Sequence, residues 1–294
     1  MDWVTQNLPY ILSGISVGGQ YALIAIGYTM VYGILRLINF AHGDIFMIAG
    51  LLMVYSCTVM PMYIAIPLVI VLTVILGVLI EKAAYKPLRS APRMSIMISA
   101  IGVSYLLQNL ALYITGGLNQ NYPTIPWISD SIEIFGCVTK RVTLITPILT
   151  IILVVLLVLL IKKTKIGMAM RAASVDFETS QLMGIKINSV ISTTFIIGSF
   201  LAAIGSFLYF TNYPGIVPTS GAMPGLKAFV AAVFGGIGSI PGAVVGAFII
   251  GICENIIKGL GLTTFSDAFT FALLIIILVA KPTGLFGEKT TDKV

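Results

Sequence analysis

Long apolar runs separated by short polar ones divide this chain. The apolar segments fall at residues 8–32, 40–57, 62–80, 94–115, 142–161, 189–212, 226–257 and 265–280. Several reach the roughly 20 apolar residues that a helix needs to cross a bilayer. The pattern predicts an all-α integral membrane protein. We expect a polytopic helical bundle of about eight to nine spans with broken or re-entrant helices. The whole of 1–294 reads as one transmembrane domain.

The polar stretches give the direction of threading. Three are basic. One runs over residues 81–93 with Lys82, Lys86, Arg89 and Arg93, one covers 162–187, and the third is the tail from Lys281 with Lys289 and Lys293. Excess lysine and arginine marks cytoplasmic loops. The loop 116–141 differs. It carries Asp130 and Glu133 against Lys140 and Arg141, and a short alternating run near Ile132–Val138, which suits a small strand-bearing cap on the outer face. Counting back places the amino terminus outside. The first span lacks a preceding basic region and a small-residue cleavage site, so it reads as a retained helix.

Between the basic run 162–187 and the basic tail the number of crossings must be even, yet three apolar segments lie there, so one of them is not a single crossing. Residues 226–257 would be roughly 48 Å long as a single helix, too long for one crossing and too short for two. Its centre reads Gly235-Gly236-Ile237-Gly238-Ser239-Ile240-Pro241-Gly242. That run cannot stay helical. Two half-helices meeting at a break inside the membrane are expected. Gly238, Gly242 and Gly246 also recur every four residues, the spacing of a packing face between helices. Gly236, Gly238, Pro241 and Gly242 are therefore candidates either for close packing or for a transport pathway.

Composition agrees with a membrane location. The chain is 58% hydrophobic and 10% charged, with a mean hydropathy of +1.05. A soluble protein carries nearer 25% charge. The net charge of +6 sits in loops and does not indicate nucleic acid. Cys57, Cys137 and Cys253 are scattered and suggest neither a metal site nor a disulfide framework. No cofactor is expected.

Two polar constellations could carry function. The first is the run 162–187, with five of the 17 basic residues. As a helix it would set Ala169, Ala172, Ala173 and Met183 on an apolar side and leave Arg171, Asp176, Glu178 and Gln181 wet. It is either a docking element for a soluble machine or a loop whose lysines set topology. The second is Gly33-Ile34-Leu35-Arg36-Leu37-Ile38-Asn39-Phe40-Ala41-His42-Gly43-Asp44, which holds the only histidine. Ionisable groups near the bilayer core are costly and point to function. Arg36, Asn39, His42 and Asp44 are pathway candidates. Alternatively they fix a helix break and pair with one another, with Asn39 or Asp44 capping the next helix.

That second segment resembles the LivH-type permeases, the transmembrane subunits of bacterial ABC importers for branched-chain amino acids. So do Gly102-Val103-Ser104-Tyr105-Leu106-Leu107-Gln108-Asn109, Lys227-Ala228-Phe229 with the glycine run after it, and Tyr85-Lys86-Pro87-Leu88-Arg89 with Ala91-Pro92-Arg93. Arg171-Ala172-Ala173, with Leu182 and Gly184-Ile185, is similar to the cytoplasmic ABC-importer loop built on Glu-Ala-Ala and a later glycine. Here Arg171 replaces the glutamate, and the spacing to Gly184 is longer.

The resemblance implies an ATPase-coupling loop at 162–187 involving Arg171, Ala172, Ala173, Leu182 and Gly184. It implies a second homologous permease, two cytoplasmic ATPase subunits, a periplasmic amino-acid-binding protein and a bacterial inner membrane as partners and setting. The chain has no Gly-x-x-x-x-Gly-Lys-[Ser/Thr] loop, so ATP hydrolysis would belong to a partner. Related permeases serve urea and short amides, and nothing in these residues excludes such substrates. A secondary transporter using Arg36, His42 and Asp44 as a relay is the rival from another class. An enzyme is disfavoured, since there is one histidine and no nucleophile–base pair on a shared face.

Overall fold

The computed structural model describes residues 2–89, 91–134 and 137–287. Lys289 and Lys293 of the basic tail lie outside the described residues. Eight helical segments are long and apolar enough to cross a membrane, and Ala222–Gly235 is a shorter apolar helix among them.

The bundle is organised around α1 (Asp2–Leu35), much of which is buried. It packs against α8 (Ile187–Asn212) and α10 (Ile240–Gly259). The crossing of α1 with α10 is a backbone contact. A Cβ added to Gly251 would stand 2.4 Å from the nitrogen of Gly18, and one added to Gly14 would stand 2.8 Å from Cα of Ile252. Small residues are needed wherever membrane helices approach this closely. The outer helices are α3 (Met62–Ile80), α4 (Arg93–Thr115), α5 (Arg141–Lys163) and α11 (Ser266–Ala280). They expose Leu79, Leu106, Leu156 and Ile276, as hydrocarbon-facing helices should.

The two ends of the bundle differ. One end carries strands β1 (Gln120–Asn121), β2 (Ser131–Ile134), β3 (Cys137–Lys140) and β4 (Gly215–Ile216). β2 and β3 form an antiparallel hairpin where the alternating run predicts strands, and β1 pairs antiparallel with β4. The other end carries α6 (Lys165–Val175) and α7 (Phe177–Leu182).

The expected single amphipathic helix is thus two helices. Asp176 divides them, because its side chain accepts from the backbone N–H of Thr179 at 3.0 Å and caps α7. Aspartate favours that position over a helix interior. The buried side of the pair is Gly167, Met170, Ala173 and Ser180, whereas Met183 is exposed.

The break in the glycine run is present but lies elsewhere than expected. α9 (Ala222–Gly235) stops at Gly235 and α10 starts at Ile240. Gly236 and Gly238 between them have φ of 106° and 101°, conformations that glycine adopts without a steric cost. Gly238 shares a small cleft with Gly33, Ile161, Met170, Arg171 and Ser174. The break therefore sits at the α6–α7 end of the bundle. α10 has 20 residues, about 30 Å, and crosses fully on its own. Its start is well formed: the Ser239 hydroxyl accepts from Gly242 N–H at 3.2 Å. Pro241 occupies the first turn, where a missing N–H is harmless.

Irregular backbone inside the bundle occurs at 36–41 and before Ala222. The ring of His42, the first residue of α2 (His42–Val59), lies against Gly27 of α1. A Cβ on Gly27 would be 2.0 Å from Nε2. Gly27 is about 12 Å back along α1 from Leu35, so the connector folds back into the bundle before α2 begins. α9 begins at the same depth, since a Cβ on Gly225 would be 2.9 Å from Cα of Gly43. From there α2 runs toward the strands, where Gly50 meets Phe210 and Ile216, and α9 runs toward α6. α2 and the shorter α9 thus start side by side in the interior and leave in opposite directions.

Candidate functional site

Where α2 and α9 start, the chain encloses a cavity of about 340 Å³, within the size range of ligand pockets. Tyr28 of α1 and Gly43 and Asp44 of α2 line one side. Ile101, Ser104, Tyr105 and Gln108 of α4 line another. Gly221, Ala222, Gly225, Leu226 and Phe229 belong to the α9 side, and Phe40 closes the connector side. The α4 spacing explains the polar wall. Residues i and i+4 share a helix face, and Ser104 and Gln108 both donate to Asp44, Gln108 Nε2 to Oδ1 at 3.0 Å. Asp44 is 2% exposed and sits in the first turn of α2, where the helix dipole favours a negative charge. The remaining wall is apolar and aromatic. Tyr28 and Phe229 meet edge to face at 5.9 Å, and Phe40 and Phe229 lie 6.4 Å apart.

The segment 33–44 does not act as one cluster. Arg36 Nη2 donates to the backbone oxygen of Ser174 at 3.2 Å, with φ of 54° at the end of α1. His42 packs edge to face on Tyr28 at 5.1 Å. Asn39 Oδ1 accepts from the Tyr85 hydroxyl at 2.7 Å. The expectation that these groups pair with one another is therefore corrected, since Arg36, Asn39 and Asp44 bond elsewhere and His42 packs on Tyr28. Nor does Asn39 or Asp44 cap α2, which has no side-chain cap bond, because both side chains are already engaged. The same separation removes the geometry of a proton relay through Arg36, His42 and Asp44.

The glycine candidates divide as well. Gly242 and Gly246 face α9 of the same chain. A Cβ at either would stand 2.4 Å from a carbonyl oxygen, of Gly235 and Ala231 respectively. Gly238 meets nothing within 4 Å and is not part of that face. Gly236 is enclosed by the tail, with Gly287 N 2.4 Å from its would-be Cβ. Tail amides of Leu285 and Phe286 donate to the carbonyls of Phe234 and Gly235 at 3.0 and 2.9 Å. In the short-helix region Arg171, Leu182 and Gly184 are exposed, Ala172 is half-buried and Ala173 is buried. Gly184 has φ of 85° and open space around it.

Two ionic clusters had no sequence-based assignment. Lys227 of α9 donates to Glu254 of α10 at 2.7 Å and pairs with Asp267 at 2.6 Å. Lys258 and Tyr21 also donate to Glu254, at 2.6 and 3.0 Å. The formal charges of these two lysines and two acids cancel, as a membrane interior requires. At the other end Arg89 pairs with buried Glu81 and donates to Asn188, and Ser192 donates to Glu81 at 3.0 Å. Lysine in the Lys227-Ala228-Phe229 motif and glutamate in an apolar run were the available signals.

Buried polar pairs, a half-helix and a ligand-sized cavity within a membrane-spanning bundle define a transport permease. The chain belongs to the family described as "Branched-chain amino acid transport system / permease component", whose model matches residues 10–278. It is 37% identical, over the full length of both chains, to the high-affinity branched-chain amino acid transport system permease protein BraD of Pseudomonas aeruginosa. It is 38% identical to LivH of Escherichia coli, covering 98% of this chain and 97% of that one. A probable LivH of Methanocaldococcus jannaschii is 28% identical over 90% of this chain and 88% of its own. As a member of that family, the chain is a transport component.

Proposed function

We propose that this chain is the membrane permease of an ABC importer for branched-chain amino acids, working beside a second homologous permease in a bacterial inner membrane. Two cytoplasmic ATPases would dock on the α6–α7 end. A periplasmic binding protein would deliver substrate to the strand-bearing end. The observation that carries this reading is the continuity from the α6–α7 end to the cavity. α6 touches the end of α1 through Arg36 and Ser174, and it shares a cleft with the start of α10. α1 and α9 both contribute to the wall of the cavity, through Tyr28 and Phe229. A push on α6 therefore reaches that wall through packed helices, which respond as rigid bodies. Val175, Leu182 and Met183 are 85%, 87% and 79% exposed. Large apolar side chains held so openly at a polar end suit a partner surface.

Reconstitution tests this. The tagged chain should co-purify with two ATPases and a second permease, and the complex should import leucine into proteoliposomes only with ATP and binding protein. Leu182→Asp with Met183→Asp should lose the ATPases while keeping wild-type membrane abundance. ATP-independent uptake by the chain alone would overturn the assignment.

A further inference from the structure

The interior carboxylate of Asp44 has donors but no cation. Its partners are Ser104 and Gln108, both neutral, and no ion pair involves it among the described residues. This is unlike Glu81, which holds Arg89, and Glu254, which holds two lysines. A buried carboxylate without a counter-ion is costly, and the structure keeps it at the edge of a cavity. The polar part of the cavity lining is Asp44, Ser104, Gln108 and the hydroxyls of Tyr28 and Tyr105. Phe40, Ile101, Leu226 and Phe229 supply its large apolar side chains.

Resting on the import reading above, we propose that Asp44 is the cation-recognition point of a transient substrate site. It would receive the ammonium group of an aliphatic amino acid while the side chain lies on the aromatic wall. The chemistry fits both halves of such a ligand. Ser104 and Gln108 donate to Asp44 and so fix its carboxylate in place, leaving its remaining lone pairs for the ligand's N–H donors. The Tyr28 hydroxyl stands at the same cavity, 3.3 Å from where a Cβ on Gly225 would lie, and adds a neutral polar group. An apolar wall accepts leucine, isoleucine or valine through burial without demanding one shape. The site would thus check for a positive amino group inside the membrane, separately from the selection made by a binding protein outside.

The test uses the assembled transporter in membrane vesicles, with Cys57, Cys137 and Cys253 replaced by serine and Ser104→Cys introduced. Cationic and anionic methanethiosulfonates of similar size are compared at this thiol, each normalised to its rate with a free thiol. With Asp44 intact the cationic reagent should react about tenfold faster or more, and Asp44→Asn should bring the ratio near one. Leucine and 3-methylbutan-1-amine should slow the labelling, whereas 4-methylpentanoate, which lacks the amino group, should not. Equal rates for the two reagents, or equal protection by 4-methylpentanoate, would overturn the proposal. In transport, Asp44→Asn should lower leucine uptake about tenfold or more while ATP hydrolysis stimulated by binding protein persists, and Asp44→Glu should recover part of it. Wild-type uptake by Asp44→Asn would also reject the site. If the wild-type complex imports no leucine yet the Ser104→Cys complex shows the charge preference, the import reading fails and the cation site stands.

Discussion

Replacing Gly251 with alanine should destabilise the protein more than its size suggests. The added methyl carbon would sit 2.4 Å from Gly18 N, 2.5 Å from its Cα and 2.7 Å from Gly14 O. These are backbone atoms of α1 and cannot rotate aside. Ordinary contact needs about 3.5–4.0 Å, so the helices must separate by roughly 1 Å. A gap of that size forfeits a quarter to a half of each dispersion contact along a central interface. Lipid offers no hydrophobic compensation for the separation. Overpacking of this kind costs about 1–3 kcal/mol. Gly102→Ala is the control. Gly102 lies on α4 with nothing within 4 Å of its Cβ position, so the helix-propensity gain of about 1 kcal/mol applies without a clash. Thermal unfolding of the purified protein in detergent should show a fall for Gly251→Ala and a rise or no change for Gly102→Ala. Equal melting temperatures for Gly251→Ala and wild type would refute the backbone contact between α1 and α10.

Three other outcomes are expected. Glu254→Ala should cost about 3–5 kcal/mol, because it leaves Lys227 without its most buried partner. Lys227→Met should cost less, since Lys258 and Tyr21 still hold Glu254; membrane abundance and melting temperature rank the two. Gly242→Leu should lower folded yield even when no other subunit is expressed, since the clash is with α9 of the same chain, whereas Pro241→Ala should fold nearly normally; yields measured on the isolated chain decide this. With Cys137 replaced, single cysteines at Asn119 and Ser129 should react with an impermeant thiol reagent added to intact cells, and one at Ser174 should not; labelling at Ser174 from outside would reverse the orientation.

Much of the fold was legible because a membrane simplifies the code. Apolar length gave the spans, lysine and arginine gave their order, and the glycine run gave the α9–α10 break. Depth was less accessible. The break was expected in the membrane because 32 residues divide into two halves on length alone. The actual division is one half-helix and one full crossing, and the tail that seals the junction is distant in sequence. The start of α9 was missed for a related reason. Pro214, Gly215, Pro218 and Gly221 mark a turn, but only the close approach of Gly43 to Gly225 shows that the turn lies inside the bundle. Single-sequence patterning also brought Arg36, His42 and Asp44 together on the page. The fold sends them to Ser174, Tyr28 and Ser104, because Arg36 ends α1 whereas His42 and Asp44, two apart on α2, lie on different faces of that helix.

The sealing of α9 by the tail has a practical consequence. A helix end leaves its last carbonyls without intrahelical donors, and here the amides of Leu285 and Phe286 satisfy two of them. Those two amides are shielded from deuterium only while the tail stays seated on Phe234 and Gly235. Any swing of α9 away from the tail would unmask them. Their exchange rates form a built-in reporter of motion at this end of the bundle, readable by mass spectrometry on the unmodified chain. A fusion placed directly after Lys281 would remove the reporter and uncover the end of the helix it protects.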